Sequence, residues 1–214
     1  MFRKLKEYLK HCEEDSKNNI NASKYNDKVA TKTDWKPLNT SVANFNTCVL
    51  ESAGKNLLYF KTTMSMKMFS GFFIVIGLVL LSFVGPMQDG RWFPETIDEG
   101  LGQLMCLTFT IAGIYLLYFT SPPIAFDGNK RLLIKGRGHR RKAIYFSEIY
   151  ALQLVPYYFT SSDGPDYYNY QLNVVLENAE RFHIVSYYDK GKARDDAAAI
   201  SWLTGKILWD VLKE

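Results

Sequence analysis

The residues best suited to chemistry in this sequence form a cluster of cations. Lysine and arginine fill five of the eight positions from 135 to 142, between two glycines and a histidine. Such a cluster binds phosphate groups, and near a membrane each cation gains about 1 kcal/mol from anionic lipid. The candidate lipid-binding residues are Lys135, Arg137, Arg140, Arg141 and Lys142. The alternative is a solvated loop whose charge only fixes the orientation of the chain in the membrane.

A second group of residues suits protein recognition. Nine of the 14 tyrosines lie between Tyr145 and Tyr188, and several flank the segment 161–166. Tyrosine and phenylalanine are favoured anchors at protein interfaces. The candidate partner-binding residues are Tyr157, Tyr158, Phe159, Tyr167, Tyr168 and Tyr170. The alternative is ordinary strand packing, with the hydroxyl groups at the water boundary.

Catalytic and metal-binding patterns are not found in the sequence. His11, His139 and His183 are isolated from one another and from cysteines at ligand spacing, which argues against a metal site. No glycine-rich phosphate loop, nucleophile elbow or kinase signature occurs. The basic cluster lacks the wider basic face of a nucleic-acid binder. The sequence therefore predicts a non-enzymatic protein without a cofactor and without a nucleic-acid partner.

Two uncharged apolar runs, 68–87 and 101–120, decide the class of protein. Each is about 20 residues, so each helix would be about 30 Å long, which is the thickness of a bilayer core. The short connector 88–100 predicts two antiparallel spans. Its net charge is −3, whereas residues 1–67 carry +5 and residues 121–214 carry +2. The positive-inside rule then places both termini in the cytoplasm.

Small residues recur on one face of the second span. They are expected to allow close approach of the two helices, and the same face permits a homodimer. The small residues of this face are Gly102, Cys106, Thr110 and Gly113, and on the first span Gly71 and Gly77 are expected to receive them. Neither span contains an ionisable side chain, which argues against a transporter.

The residues after the second span change to a period of two, which is typical of strands. Between Gln171 and Leu176 the alternation is partial, as expected for a strand with one solvated face. The predicted strands are 124–126, 132–134, 143–146, 151–158, 170–176 and 181–187. A helix is predicted from Asp189 to just before Gly205, and residues 207–212 are predicted as a last turn or short helix.

The chain before the first span divides into two parts. Residues 1–45 are predicted as a short amphipathic helix followed by a polar linker that begins near residue 13. Residues 46–67 are predicted as a β-hairpin preceding the membrane. Because both spans enter and leave at the same face, this hairpin is expected to join the later sheet, which makes the membrane hairpin an insertion within one folded unit.

A group of uncharacterised bacterial inner-membrane proteins resembles this chain over about residues 34–212. The segments that carry the resemblance are Ile144 to Ile149, Ala151 to Leu154, Tyr170 to Leu176, the tail Leu208-Trp209-Asp210 and the upstream stretches Trp35 to Leu38 and Asn44 to Thr47. The resemblance implies two spans and a cytoplasmic domain, residues 121–214, of pleckstrin-homology type. It predicts an α+β membrane protein: a two-helix transmembrane hairpin plus an antiparallel β domain closed by a C-terminal helix. The fold alone selects no ligand.

The expected function is therefore binding at the bacterial inner membrane. The ligand is either a protein partner, held by the tyrosine-rich hairpin, or anionic lipid, held by residues 135–142. The alternative is a membrane-resident immunity protein that neutralises a toxin directed at the cell envelope.

Overall fold

The computed structural model describes residues 20–38, 47–83, 96–119, 123–159 and 167–212. The chain divides into two compact units, one built around two long helices and the other around two β-sheets. The amphipathic helix predicted at the N-terminus lies outside the described residues.

The elements follow one another in an order that interrupts the strands with the two long helices. The helices are α1 (Lys28–Lys32), α2 (Met64–Phe83), α3 (Ile97–Phe119) and α4 (Lys190–Thr204). The strands are β1 (Cys48–Ser52), β2 (Leu57–Thr62), β3 (Ile124–Asp127), β4 (Leu132–Lys135), β5 (Lys142–Tyr145), β6 (Ile149–Phe159), β7 (Tyr167–Leu176), β8 (Arg181–Tyr187) and β9 (Ile207–Asp210).

Helices α2 and α3 each begin four residues before the predicted apolar run. Threonine caps explain the difference: the Met66 amide donates to Thr63 Oγ1 at 3.3 Å, and the Glu99 amide donates to Thr96 Oγ1 at 3.3 Å. A threonine at the N-cap is a helix-start signal that the hydropathy of a span does not include, and at Thr96 the signal is strengthened by Glu99 three positions later. The predicted ends, 84–87 and residue 120, lie outside the described residues.

Glycine allows α2 and α3 to pack closely. A Cβ added at Gly77 would lie 2.7 Å from the Cys106 carbonyl oxygen, and one added at Gly113 would lie 2.7 Å from the Ser70 carbonyl oxygen. Gly71 has nothing within 4 Å of an added Cβ. The predicted small-residue contact is therefore confirmed for Gly77, Cys106, Thr110 and Gly113 and is wrong for Gly71. These contacts lie within the hairpin, so any homodimer would need another face.

The outer faces of both helices are apolar and exposed within the helical unit. Met64 is 69% exposed, Phe72 61% and Ile111 63%. The core helix of a water-soluble protein would bury such side chains, because each exposed one forgoes about 1.5–3 kcal/mol of hydrophobic stabilisation. Both helices are long enough and apolar enough to cross a membrane.

The first sheet contains β1 to β5 in sequence order. Strand β2 pairs antiparallel with β3, with Leu57 opposite Asp127 and Phe60 opposite Ile124. The expectation that the early hairpin joins the later sheet is confirmed, and α2 and α3 are an insertion between two paired strands.

The second sheet has the order β8-β7-β6-β9, in which β9 runs parallel to β6 and Trp209 lies opposite Gln153. The last turn or helix predicted at 207–212 is therefore wrong, and the domain ends in a strand rather than in a helix. Helix α4 begins after Asp189, whose side chain caps the Lys192 amide, and ends at Gly205 with φ +68°. Both of these predicted boundaries are confirmed.

The linker predicted for residues 13–45 is wrong over residues 20–38. These residues form a 3-10 turn (Ala22–Tyr25) and helix α1, and Trp35 is buried in a cluster with Ala151, Val155 and Trp209. Polar composition concealed the segment because its apolar residues are few and spaced apart, although Tyr25 and Trp35 both pack in the cluster.

We predict that Gly77→Ala destabilises the helical hairpin by about 1–3 kcal/mol, because the new methyl group overlaps the backbone of α3. Thermal or denaturant unfolding of the full chain in detergent measures the effect. Gly71→Ala is the matched control and is expected to be neutral or stabilising. Equal effects of the two substitutions would refute the close packing at Gly77.

Candidate functional site

The basic cluster lies at one end of the first sheet. Ile124 lies opposite Lys135, and Lys135 lies opposite Lys142. The three arginines occupy the connection between β4 and β5, which includes the 3-10 turn Gly138–Arg140. All three arginines are exposed. The turn thus presents three guanidinium groups at the end of the first sheet where β3 begins.

Glycine fixes the shape of this turn. Gly136 has φ +97° and Gly138 has φ +52°, a region that side-chain-bearing residues rarely adopt. The Gly136 amide donates to the Pro123 carbonyl oxygen at 2.9 Å, and a Cβ at Gly136 would lie 2.5 Å from the Arg140 carbonyl oxygen. The turn is therefore bound directly to the residue that precedes β3.

The two lysines of the basic cluster, unlike its exposed arginines, contact residues of the second sheet. Lys135 Nζ donates to the carbonyl oxygen of His183, and burial, aided by the charge of Lys142, lowers the pKa of Lys135. Lys142 Nζ lies 4.7 Å from the centre of the Phe182 ring. Lys135 is thus anchored to the second sheet, whereas the arginines face outward.

Chain connectivity ties this end of the sheet to the long helices. Pro123 follows Phe119 by four residues, and Met64 follows Phe60 by four residues. Four residues reach at most about 14 Å. Along the chain, three residues therefore separate the end of α3 from Pro123, to which the turn is hydrogen-bonded.

The aromatic candidates are divided between the two faces of the β6–β7 hairpin. Tyr158 pairs with Tyr168, and Phe159 pairs with Tyr167. Because side chains alternate along a strand, one face carries Tyr158, Tyr168 and Tyr170, and the other carries Tyr157, Phe159 and Tyr167. The loop that joins β6 and β7 lies outside the described residues.

The exposed fraction of each aromatic side chain distinguishes residues packed in the core from residues that a partner could contact. Tyr158 is only 7% exposed and packs on Tyr168, with ring centres 4.9 Å apart. Tyr168 is 41% exposed, and Tyr188, which sequence reasoning missed, is 49% exposed. Burial, followed by the influence of Tyr168 and Asp189, raises the pKa of Tyr170. The partner-binding role of these tyrosines stays a prediction.

The face of β7 that was predicted to be solvated is buried, and it carries amide side chains. Gln153 and Asn173 are fully buried and Gln171 is 1% exposed, although the alternation in β7 had predicted a solvated face. Residues 20–38 cover this face, and Asn173 Nδ2 donates to Gln153 Oε1 at 3.1 Å. Polar and apolar side chains do alternate along β7, but residues 20–38, rather than water, cover the polar face.

Within the described residues, no three histidine, cysteine, aspartate or glutamate side chains lie together in a way that would hold a metal ion. No protein-family model and no curated protein matches the chain.

His183 gives the sheet unit a dependence on pH. Burial, followed by the charge of Lys135, lowers the pKa of His183 from 6.5 to about 4. Between these two values the unfolded chain binds more protons than the folded chain, so stability falls as pH falls from 6.5 to 4 and is unaffected by this group above 6.5.

We predict that protonation of His183 in the unfolded chain lowers the free energy of unfolding by up to about 3 kcal/mol at pH 4 relative to pH 7. His183→Gln should flatten that part of the stability profile, which denaturant unfolding at several pH values measures. The exposed His139→Gln is the control. An unchanged profile in the His183 variant would contradict the assignment.

Proposed function

We propose that this protein is a non-enzymatic, membrane-anchored binding protein of the bacterial inner membrane. Helices α2 and α3 cross the bilayer with both termini in the cytoplasm, and the arginine turn, residues 136–141, contacts anionic headgroups. The observation that carries the proposal is the bond from the Gly136 amide to the Pro123 carbonyl oxygen, which binds the turn to a residue four positions after the end of α3.

Membrane insertion is supported by the apolar, exposed faces of both helices and by the sequence between and around them. The connector carries net negative charge, and the flanking segments carry net positive charge. That distribution favours a cytoplasmic location for the sheet unit.

Lipid contact is supported by the chemistry of the turn. Arginine presents a planar fork of donors that matches phosphate, and it remains charged at every physiological pH. Three cations at an anionic surface contribute about 3 kcal/mol together. The turn needs no large rearrangement to present them, because its glycines already set the backbone.

The pleckstrin-homology-like identity of the domain is part of this proposal. Two antiparallel-rich sheets followed by helix α4 support it, whereas β9, which follows the helix, is an addition to the expected pattern. No observation in the described residues favours the immunity role.

We predict that trypsin cuts more slowly after Arg137, Arg140 and Arg141 when the full chain is in nanodiscs of anionic lipid than in nanodiscs of zwitterionic lipid. An energy of about 3 kcal/mol corresponds to a slowing of about a hundredfold. The protection should disappear at high salt, because screening weakens contacts at the surface.

Cleavage after Lys130 and Arg131 is the internal control, since these residues lie in the turn at the opposite end of β4. Their cleavage rates should be the same in both lipids. Equal cleavage at the arginine turn in both lipids would overturn the lipid contact and leave the protein-partner role as the surviving hypothesis.

A further inference from the structure

Helix α4 has one face packed on the strands and an opposite face that is exposed. The packed face carries the buried residues of the helix, which are Ala193, Asp196, Ala197, Ile200 and Thr204. The opposite face carries exposed residues at helical spacing, which are Gly191, Asp195, Ala198, Ala199 and Trp202. The exposed face of a helix is normally polar or charged, whereas Asp195 is the one charged residue among these five. We refer to these five residues as the outer face of α4.

Trp202 is the largest side chain of the outer face and is 81% exposed. Tryptophan rings carry a large apolar area and are enriched among the residues that contribute most to binding between proteins. Ala198 and Ala199 precede Trp202 by one helical turn, so their small side chains form a flat apolar surface beside the ring. A large ring next to a flat apolar surface is an arrangement that two protein surfaces can share.

The charges near the two ends of the outer face are opposite in sign. Asp195 is exposed on the first half of the helix, and Lys206 follows Gly205, the residue that ends it. Within the part of the chain that the structure describes, neither Asp195 nor Lys206 forms an ion pair. Both charges therefore lack an opposite charge within the described residues.

These positions are complementary to themselves when two copies of α4 pack antiparallel. A two-fold axis that passes between Ile200 and Ser201 brings position 195 of one copy opposite position 206 of the other. The same axis brings position 199 opposite position 202. One axis thus pairs the unlike charges twice and places each tryptophan ring on an alanine of the other copy. Small residues at the crossing point also allow two helices to approach closely.

We propose that the outer face of α4 binds the outer face of a second copy of this chain in an antiparallel, two-fold symmetric pair. An interface between identical copies must be complementary to itself, and both the charges and the Trp202–Ala199 positions meet that condition about one axis. A membrane surface fits less well, because anionic headgroups repel Asp195. The proposal goes beyond the proposed function and does not depend on lipid contact by the arginine turn.

A charge exchange between two differently tagged forms of the full chain in detergent tests the pairing. One form carries Asp195→Lys and the other carries Lys206→Asp. Each variant paired with itself has two like-charge contacts, whereas the mixed pair has two contacts between opposite charges. The tags should therefore copurify several times more in the mixture than when either variant is mixed with itself. The difference should shrink at high salt, because both contacts are at the surface.

Glu177→Lys is the matched control, because Glu177 is an exposed acid in the turn between β7 and β8. Mixed with Lys206→Asp, it leaves one contact between like charges, so it should copurify less than Asp195→Lys does. Recovery of binding in the mixture also shows that both charge variants are folded.

Trp202→Ala tests the apolar contact. Removal of both rings from the pair should lower the association constant of the full chain at least about tenfold in sedimentation measurements in detergent. Tyr145→Ala removes another exposed aromatic ring, on β5, and should leave association unchanged. Native tags that do not copurify, or mixed charge variants that associate no better than each variant alone, would overturn the proposal and leave the outer face to a different protein.

Discussion

The pairing of β2 with β3 is the constraint on which the rest of the structure depends. Phe60 and Ile124 lie opposite each other across 63 intervening residues. A flexible loop of that length would cost several kcal/mol in closure entropy, but the antiparallel packing of α2 on α3 returns the chain to its starting point. In chain order, β2 runs into α2 and α3 runs into β3, so the two helices are inserted between paired strands.

That end of the sheet is also where the cations accumulate. The cross-strand row continues from Ile124 to Lys135 and Lys142, and like charges facing each other are unfavourable unless something compensates for them. Lys135 is compensated by the His183 carbonyl oxygen and Lys142 by the Phe182 ring. The arginines of the turn are exposed on the surface of the first sheet, where groups outside the sheet can reach them.

Much of this architecture could be predicted from periodicity. The spans, the strands β3 to β8 and the limits of α4 follow from runs of apolar residues, alternation and caps such as Asp189 and Gly205. Residues 20–38 could not be predicted, because Trp35 acts through partners more than 100 residues away. Strand β9 was missed for a related reason: three apolar residues followed by Asp210 have no periodicity of their own, and the identity of the strand comes from pairing with β6.

The candidate site was predictable in composition and not in geometry. Five cations were visible in the sequence, but only the register shows that Lys135 is anchored while the arginines face outward. The amides of β6 and β7 were visible too, yet a strand pattern does not reveal whether water or another segment covers the polar face. Tyr158 and Tyr168 are adjacent to the same loop, and only pairing and burial separate the core residue from the exposed one.

The most direct test is the depth of a probe on the sheet unit in a lipid bilayer. A fluorophore at Arg140→Cys and, separately, at Asn129→Cys would be compared in nanodiscs that contain headgroup-quenching lipid, with Cys12 replaced by serine. We expect strong quenching at position 140 and little at position 129, which lies at the opposite end of the first sheet. Equal quenching at both positions, or quenching at position 129 alone, would contradict it.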